Sequence, residues 1–304
     1  QREFKAGDFF FETDITPQVA KKEQYVFSRP YGIPVRFHDY RSLIEGMRIN
    51  FVEFHLSYHD LNVKLADYLT GQQHIGFAVH SPELFSNDHI LDLASDDVDY
   101  LAHSIKELKR TLAVAEQLRS YFPATSRPVL VLNAGGWSTQ AFLPIEARAA
   151  LYDRVASALG KVDLSQVQLA IQTMPPFPWH FGGQSYHNLF IDPDEIVDFC
   201  QRTGHKICLD ISHSMMACNY YHWDFSEFLK KVLPCTIHLH IVDAKGVDGE
   251  GVQMGQGDVD FAMLRDLMNE YAPSVQFIPE VWQGHKNKGE GFWSGLSFLE
   301  KVGF

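Results

Sequence analysis

Beyond about residue 30 the chain alternates between short apolar runs and longer amphipathic ones. The short runs are PVRF (34–37), FVEF (51–54), HIGFAVH (74–80), RPVLVLN (127–133), VQLAIQ (167–172), KICLD (206–210), TIHLHIV (236–242) and QFIPEV (276–281). Each is mostly apolar and rich in Val, Ile, Leu or Phe, as suits strands buried on both faces of a parallel sheet. The clearest helical stretch spans about 96–122, where Ile105, Leu108, Leu112, Ala115, Leu118 and Phe122 recur at helical spacing. Ser95 stands at its N-cap position, with Asp96 and Asp97 in the first turn. Further helices are predicted near 143–159, 193–203, 224–233, 260–271 and 291–302, punctuated by Gly160, Gly204 and the Ala272-Pro273 pair. Eight strands alternating with helices over about 270 residues predict an α/β fold, a (β/α)8 TIM barrel over 31–304. A doubly wound open sheet is the alternative, but no G-x-G-x-x-G follows an early strand. Residues 1–30 fall outside the alternation and read as a short N-terminal extension.

In a barrel, chemistry gathers where the strands end. Here those ends are polar: Glu53 and His55, His80, Asn133, Gln172, Asp210 with His213 just after it, His238 and His240 with Asp243, and Glu280. A polar side chain closing a buried strand is costly unless it is paired or bound. Asp210 alone could cap the next helix, and one strand histidine alone is ordinary core. Six or seven such ends together call for a common explanation. Converging imidazoles and carboxylates make a ligand set for one divalent cation: Mn, Zn, Co or Fe, with Mg allowed. The lack of cysteine in the set argues against a structural zinc site. His238 and His240 are two apart and share one face of their strand. His240 lies nearer the C-terminal end and is the expected ligand, with His238 supporting it from deeper in the barrel.

Composition narrows the partners. A formal net charge of −12 with no Lys/Arg run disfavours nucleic acid. No apolar stretch has the length of a membrane span. Four cysteines without C-x-x-C spacing read as reduced thiols of a cytoplasmic protein. The chain opens on Gln1, which suits a piece of something longer.

LDISHS, HLHIVDAKG, GQGDVDF and FIPEVWQGH, in this order on strands 6 to 8, resemble the xylose isomerase-like TIM barrels. That superfamily includes sugar isomerases, sugar epimerases, sugar-acid dehydratases and apurinic-site endonucleases. The resemblance covers about residues 31–304 and is strongest after Asp210. It implies a small-molecule sugar substrate, a single divalent cation and proton transfer next to a carbonyl. It places the ligand quartet at Gln172, Asp210, His240 and Glu280, and the proton-moving groups at Glu280, Gln172 and His213. Substrate contacts are expected from His80, Asn133, Trp179, Lys245, Trp282 and His285. Arg36, His38 and Lys286 are further cations able to hold a substrate carboxylate or phosphate. The glycine-rich stretch after strand 7 is expected to be flexible and to let backbone approach a ligand over the metal. Barrels of this family often self-associate, so a homo-oligomer is compatible with the reading.

A second resemblance concerns context. REFKAGDFFFETDI (2–15) is similar to the end of an antifreeze-like (SAF) domain. YVFSRPYGIPVRFHDY (25–40) and PEVWQGHKNKGEGFWSGL (279–296) are similar to the extra barrel at the C-terminus of long bacterial sialic acid synthases. That would attach this barrel covalently to a synthase domain.

Gln172 stands where the family has Glu. An amide oxygen still coordinates, but it cannot accept the proton. This is compatible with a native one-carboxylate chemistry, with a substitution that blocks proton transfer, or with a domain that binds sugar without turning it over. The expected function is a metal-dependent sugar or amino-sugar isomerase or epimerase. The alternatives are an inert sugar-binding domain of a synthase-like protein, a metal-dependent dehydratase, and a phosphodiesterase. The last departs from the endonuclease pattern at Asn133 and at Asp248-Gly-Glu250.

Overall fold

The computed structural model describes residues 19–180 and 183–304, with backbone only at Trp179, His180 and Gly183. Eight parallel strands form the sheet: β1 Gly32–Val35, β2 Phe51–His55, β3 Gly76–His80, β4 Val129–Leu132, β5 Gln168–Gln172, β6 Lys206–Asp210, β7 Thr236–Ile241 and β8 Gln276–Pro279. They pair in chain order, and a Tyr31–Phe277 bridge joins the two outer strands into a cylinder. The helices are α1 Tyr40–Ile44, α2 Val98–Arg119, α3 Ile145–Leu159, α4 Pro193–Thr203, α5 Ile211–Tyr221, α6 Phe225–Val232, α7 Phe261–Tyr271 and α8 Lys286–Val302. The predicted barrel is the observed one.

The sheet separates two cores. A small cluster fills the inside with Phe51, Ala78, Val129, Val131, Ala170, Cys208 and Ile278. A much larger one lies between the sheet and the helices. Because side chains alternate along each strand, the position two residues beyond an inward apolar residue also points inward. Phe51 leads in this way to Glu53 and His55, Ala78 to His80, Ala170 to Gln172, and Cys208 to Asp210. Apolar residues therefore plug the floor, and polar ones line the mouth.

Two local readings are corrected. The N-cap of α2 is Asp97, whose side chain accepts from the Asp99 and Tyr100 amides, and Ser95 instead accepts from the Asp97 amide. Helix α1 lies where none was expected, and α5 follows Asp210, for which the sequence allows a capping role but marks no helix span. The regular part of α8 follows a kink at Asn287, Lys288 and Gly289, all with positive φ. The four cysteines are free and buried. Among the described residues no helix is long and apolar enough to cross a membrane.

The antifreeze-like resemblance rests on 2–15, which lie outside the described residues. Residues 19–30 run across the N-terminal end of the barrel. Arg29 is buried there and donates to the Ala272 carbonyl at 2.8 Å and to Asn269 Oδ1 at 2.7 Å. The rings of Tyr25, Phe27, Tyr31 and Phe277 meet there edge to face. Charge-assisted hydrogen bonds of this kind contribute about 1.5–3 kcal/mol each. R29A is expected to lower the unfolding free energy by about 2–3 kcal/mol, read as a fall in the urea midpoint at unchanged slope. An unchanged midpoint would show that this segment does not brace the barrel.

Candidate metal centre and active site

The mouth of the barrel holds a cavity of about 760 Å3. His55, His80, Gln172, Asp210, His213 and Glu280 line it, and His240 lies fully buried directly beneath. His240 Nδ1 is the point of convergence. Glu280 Oε2 lies 2.6 Å from it, Gln172 Nε2 3.3 Å and Asp210 Oδ2 3.6 Å. Ligand atoms of His80, His240 and Glu280 all fall within 4.8 Å of one another. The four quartet residues, drawn from four different strand ends, thus meet at one place. Nitrogen and oxygen donors of mixed imidazole and carboxylate type fit a divalent first-row cation.

Burial alone would lower the His240 pKa, but Cys208, Glu280 and Glu53 raise it well above the ordinary imidazole range. Burial would likewise raise Glu280, yet His240 holds it below the ordinary carboxylate range. A proton held between these two would occupy the position a cation would take, so cation binding here would release it.

Asp210 divides its carboxylate between two tasks. Oδ1 accepts the His213 amide at 2.9 Å and caps α5, while Oδ2 faces Gln172 Nε2 at 3.2 Å. The capping role and the site role are both realised. Gln172 Oε1 faces His80 Nε2 at 3.2 Å, and His80 Nδ1 donates to the Ser81 carbonyl at 2.9 Å. Both contacts at once require a doubly protonated ring, whereas burial, aided by His55, lowers the His80 pKa. Turning the Gln172 amide over removes the conflict at His80 but gives up its N–H bond to Asp210, so the turned amide suits the site only with a cation between the two oxygens. Its N–H then donates to an unprotonated His80 Nε2, and its oxygen faces His240 and Asp210 as an oxygen ligand must.

His213 is held by Asp210 and by the loop after β7. Its Nδ1 donates to the Thr173 carbonyl at 2.8 Å, and Nε2 lies 3.1 Å from Glu250 Oε1. Burial opposes the charged ring, but Asp210 and Glu250 raise its pKa to about 10. Glu250 sits on a hairpin, Asp243–Lys245 paired with Gly249–Val252. Beyond the hairpin the glycine-rich segment packs around Asp243 instead of forming the flexible loop expected. The Asp243 carboxylate accepts the amides of Ala244, Gly255, Gly257 and Val259 at 2.8–3.1 Å. A Cβ on Gly257 would sit 2.1 Å from the Ala244 carbonyl oxygen, which explains the residue there.

The remaining candidates separate. Trp282 and His285 line the cavity, as do Arg36 and His38, and Trp282 is 72% exposed. Asn133 turns to the Gly135 amide at 3.1 Å, and Lys245 is exposed on the hairpin; neither lines the cavity. Trp179 belongs to a two-residue strand paired with Gly183–Gln184, and its side chain lies outside what is described. Glu53 was visible as a strand end, but its function was not. It is fully buried, accepts from His240 Nε2 at 3.0 Å and from His238 Nε2, and has His55 Nε2 2.8 Å away.

A family model described as xylose isomerase-like TIM barrel matches residues 44–302. No curated protein matches the sequence. Among solved structures, a D-tagatose 3-epimerase-like protein aligns with a TM-score of 0.58 at 19% identity, covering 90% of this chain and 98% of that one. The 3-keto-D-glucoside 4-epimerase YcjR from E. coli aligns at 0.58 and 12%, covering 90% and 99%. Endonuclease IV from Thermus thermophilus aligns at 0.55 and 14%, again covering 90% and 99%. At these identities the likeness is one of fold.

An amide at position 243 offers one acceptor oxygen where the loop uses two. D243N is expected to cost about 1–3 kcal/mol of stability and to speed hydrogen exchange at the Gly255, Gly257 and Val259 amides. Exchange rates equal to those of the parent protein would refute the anchoring role.

Proposed function

This chain belongs to the xylose isomerase-like TIM-barrel family, and we propose that it is a divalent-metal-dependent isomerase of a sugar or amino sugar, with Glu280 as its proton-moving carboxylate. The observation that supports this most is the meeting of Gln172, Asp210 and Glu280 around His240 Nδ1 at the base of an open cavity.

A divalent cation held by these four residues would polarise a substrate carbonyl and acidify the adjacent C–H. The chain's own residues supply the rest. Glu280, 28% exposed at its side chain, faces the cavity and can take a proton from one carbon and return it to the neighbouring one on the same face. Gln172 can coordinate but cannot accept that proton, so two-face epimerisation lacks its second base and isomerisation along one face does not. His213, positively charged beside Asp210, gives its N–H groups to Thr173 and Glu250, and would reach a substrate oxygen only by exchanging the Glu250 contact for it. His80 fixes the Gln172 amide, and Trp282 and His285 at the rim hold the sugar. Of the other expected contacts, Lys245 is exposed on the hairpin and would meet only a substrate that extends beyond the cavity, Asn133 is buried and turned to Gly135, and the Trp179 side chain lies outside the described residues.

One observation favours a second reading. Gln172 also suits a barrel that binds sugar without turning it over, attached to a sialic acid synthase-like domain. Phosphodiester hydrolysis is disfavoured: Asn133 is committed to Gly135, and the hairpin presents Glu250 where that chemistry uses histidine.

Two measurements separate these. The purified chain is expected to bind one Mn2+ or Zn2+, and to exchange solvent deuterium next to the carbonyl of a ketose or amino sugar. EDTA should abolish the exchange, and E280Q should slow it by about 10²–10⁴-fold. Tight binding of three ions would favour the phosphodiesterase instead. In the second measurement, Q172E restores a second carboxylate. Exchange that appears only in Q172E would mean that the natural chain binds without catalysis.

A further inference from the structure

The proposed chemistry makes no use of Glu53, the most deeply buried acid at the site. Its two oxygens are both committed: Oε1 to His240 Nε2 at 3.0 Å, Oε2 to His238 Nε2. Gln276 Nε2 lies 3.0 Å from His238 Nδ1. An amide nitrogen only donates, so His238 Nδ1 is the acceptor and its proton sits on Nε2. An ionised carboxylate only accepts, so His240 must also present its proton at Nε2. The ring nitrogen left over, His240 Nδ1, is the one that faces Glu280, Gln172 and Asp210.

We propose that Glu53 is a positioning residue, which sets both β7 imidazoles as Nε2–H rings and so turns the Nδ1 lone pair of His240 into the cation site. The inference rests on the metal reading above. Partners of this kind orient a ligating histidine and raise its basicity, and their loss typically weakens metal binding by about 10–100-fold. His55 Nε2 lies 2.8 Å from the same Oε1 but outside hydrogen-bonding geometry, so it does not compete for that oxygen. Glutamine at 53 would offer one acceptor and one donor. One of the two rings would then have to change tautomer or lose its bond. Aspartate would keep two acceptors at a shorter reach.

The test titrates Zn2+ alone into the full chain by calorimetry, for the natural protein, E53Q and E53D. It also records long-range 1H–15N spectra of the protein with 15N-labelled histidine. Zinc-loaded protein is expected to show Nε2–H at both His238 and His240. E53Q should bind zinc about 10–100-fold more weakly, with an Nδ1–H signal appearing at one of the two rings, and E53D should recover part of the loss. Three results would overturn the proposal: Nδ1–H at His238 or at zinc-bound His240 in the natural protein, natural affinity in E53Q, or weakened binding in E53Q with both tautomers unchanged. Should E53Q not fold, the natural protein's spectrum and E53D decide. A natural protein that takes up no zinc would sink the metal reading instead. The zinc-free spectrum would then still decide on Glu53, because an unprotonated Nε2 at either ring rules its role out.

Discussion

An ionised carboxylate with no solvent contact sits between two fully buried imidazoles at the centre of this barrel. Removing a charge from water costs several kcal/mol unless partners replace the lost hydration. Glu53 survives there because His238 and His240 give it N–H groups at both oxygens. The constraint runs in both directions. The histidines must come from one strand, two residues apart, and that strand must lie where the β2 side chain can reach both across the barrel. Closure and register of the cylinder are therefore prerequisites of the site. The apolar plug of Phe51, Val131, Cys208 and Ile278 below it keeps water from competing for the same bonds.

Above that pair the polarity is graded. Glu53 and His238 are closed to solvent, His240 is closed but touches cavity-lining groups, and Asp210, Gln172 and Glu280 form the cavity surface. Only the outermost layer can meet a substrate. The inner layers set its geometry, because each outer side chain bonds to something that cannot move. Asp210 is tied to the first turn of α5, Gln172 to His80, and His213 to Thr173 and the Glu250 hairpin. That hairpin is in turn held by Asp243. The glycines of the loop let backbone amides close on one carboxylate, a packing requirement rather than a source of mobility.

The barrel and the polar strand ends were legible in the sequence for the same physical reason. A polar residue that closes an apolar run is an anomaly visible without coordinates, and eight such runs in alternation with helices leave few architectures. Other features were invisible because they depend on what meets across space. Glu53 could be seen to end a strand, but only the stagger of the closed sheet shows that it faces β7. Asp243 could be seen as a polar end of strand 7, but not as the acceptor that gathers the glycine-rich loop. The span of helix α5 escaped because Ile211, Ser212, His213, Ser214, Met216, Ala217 and Cys218 are all buried, so no polar stripe marks its period. Helix α1, at five residues, is too short to show one.

Gln172 is where these strands of argument join. Replacing a carboxylate by an amide makes the ligand set one unit less negative: Asp210 and Glu280 alone would balance a divalent ion. The position is also neutral toward His80, whose Nδ1 is committed to the Ser81 carbonyl and whose charged form burial disfavours. A glutamate at 172 would ask His80 for a proton that this environment withholds. A glutamine asks only for a lone pair, which the neutral ring has. The amide is thus matched to its neighbours, as expected of a residue that belongs in the site. What it cannot do is shuttle a proton. On the proposed reading, the chemistry would then narrow to what a single carboxylate, Glu280, can carry out from one face of a substrate in the cavity.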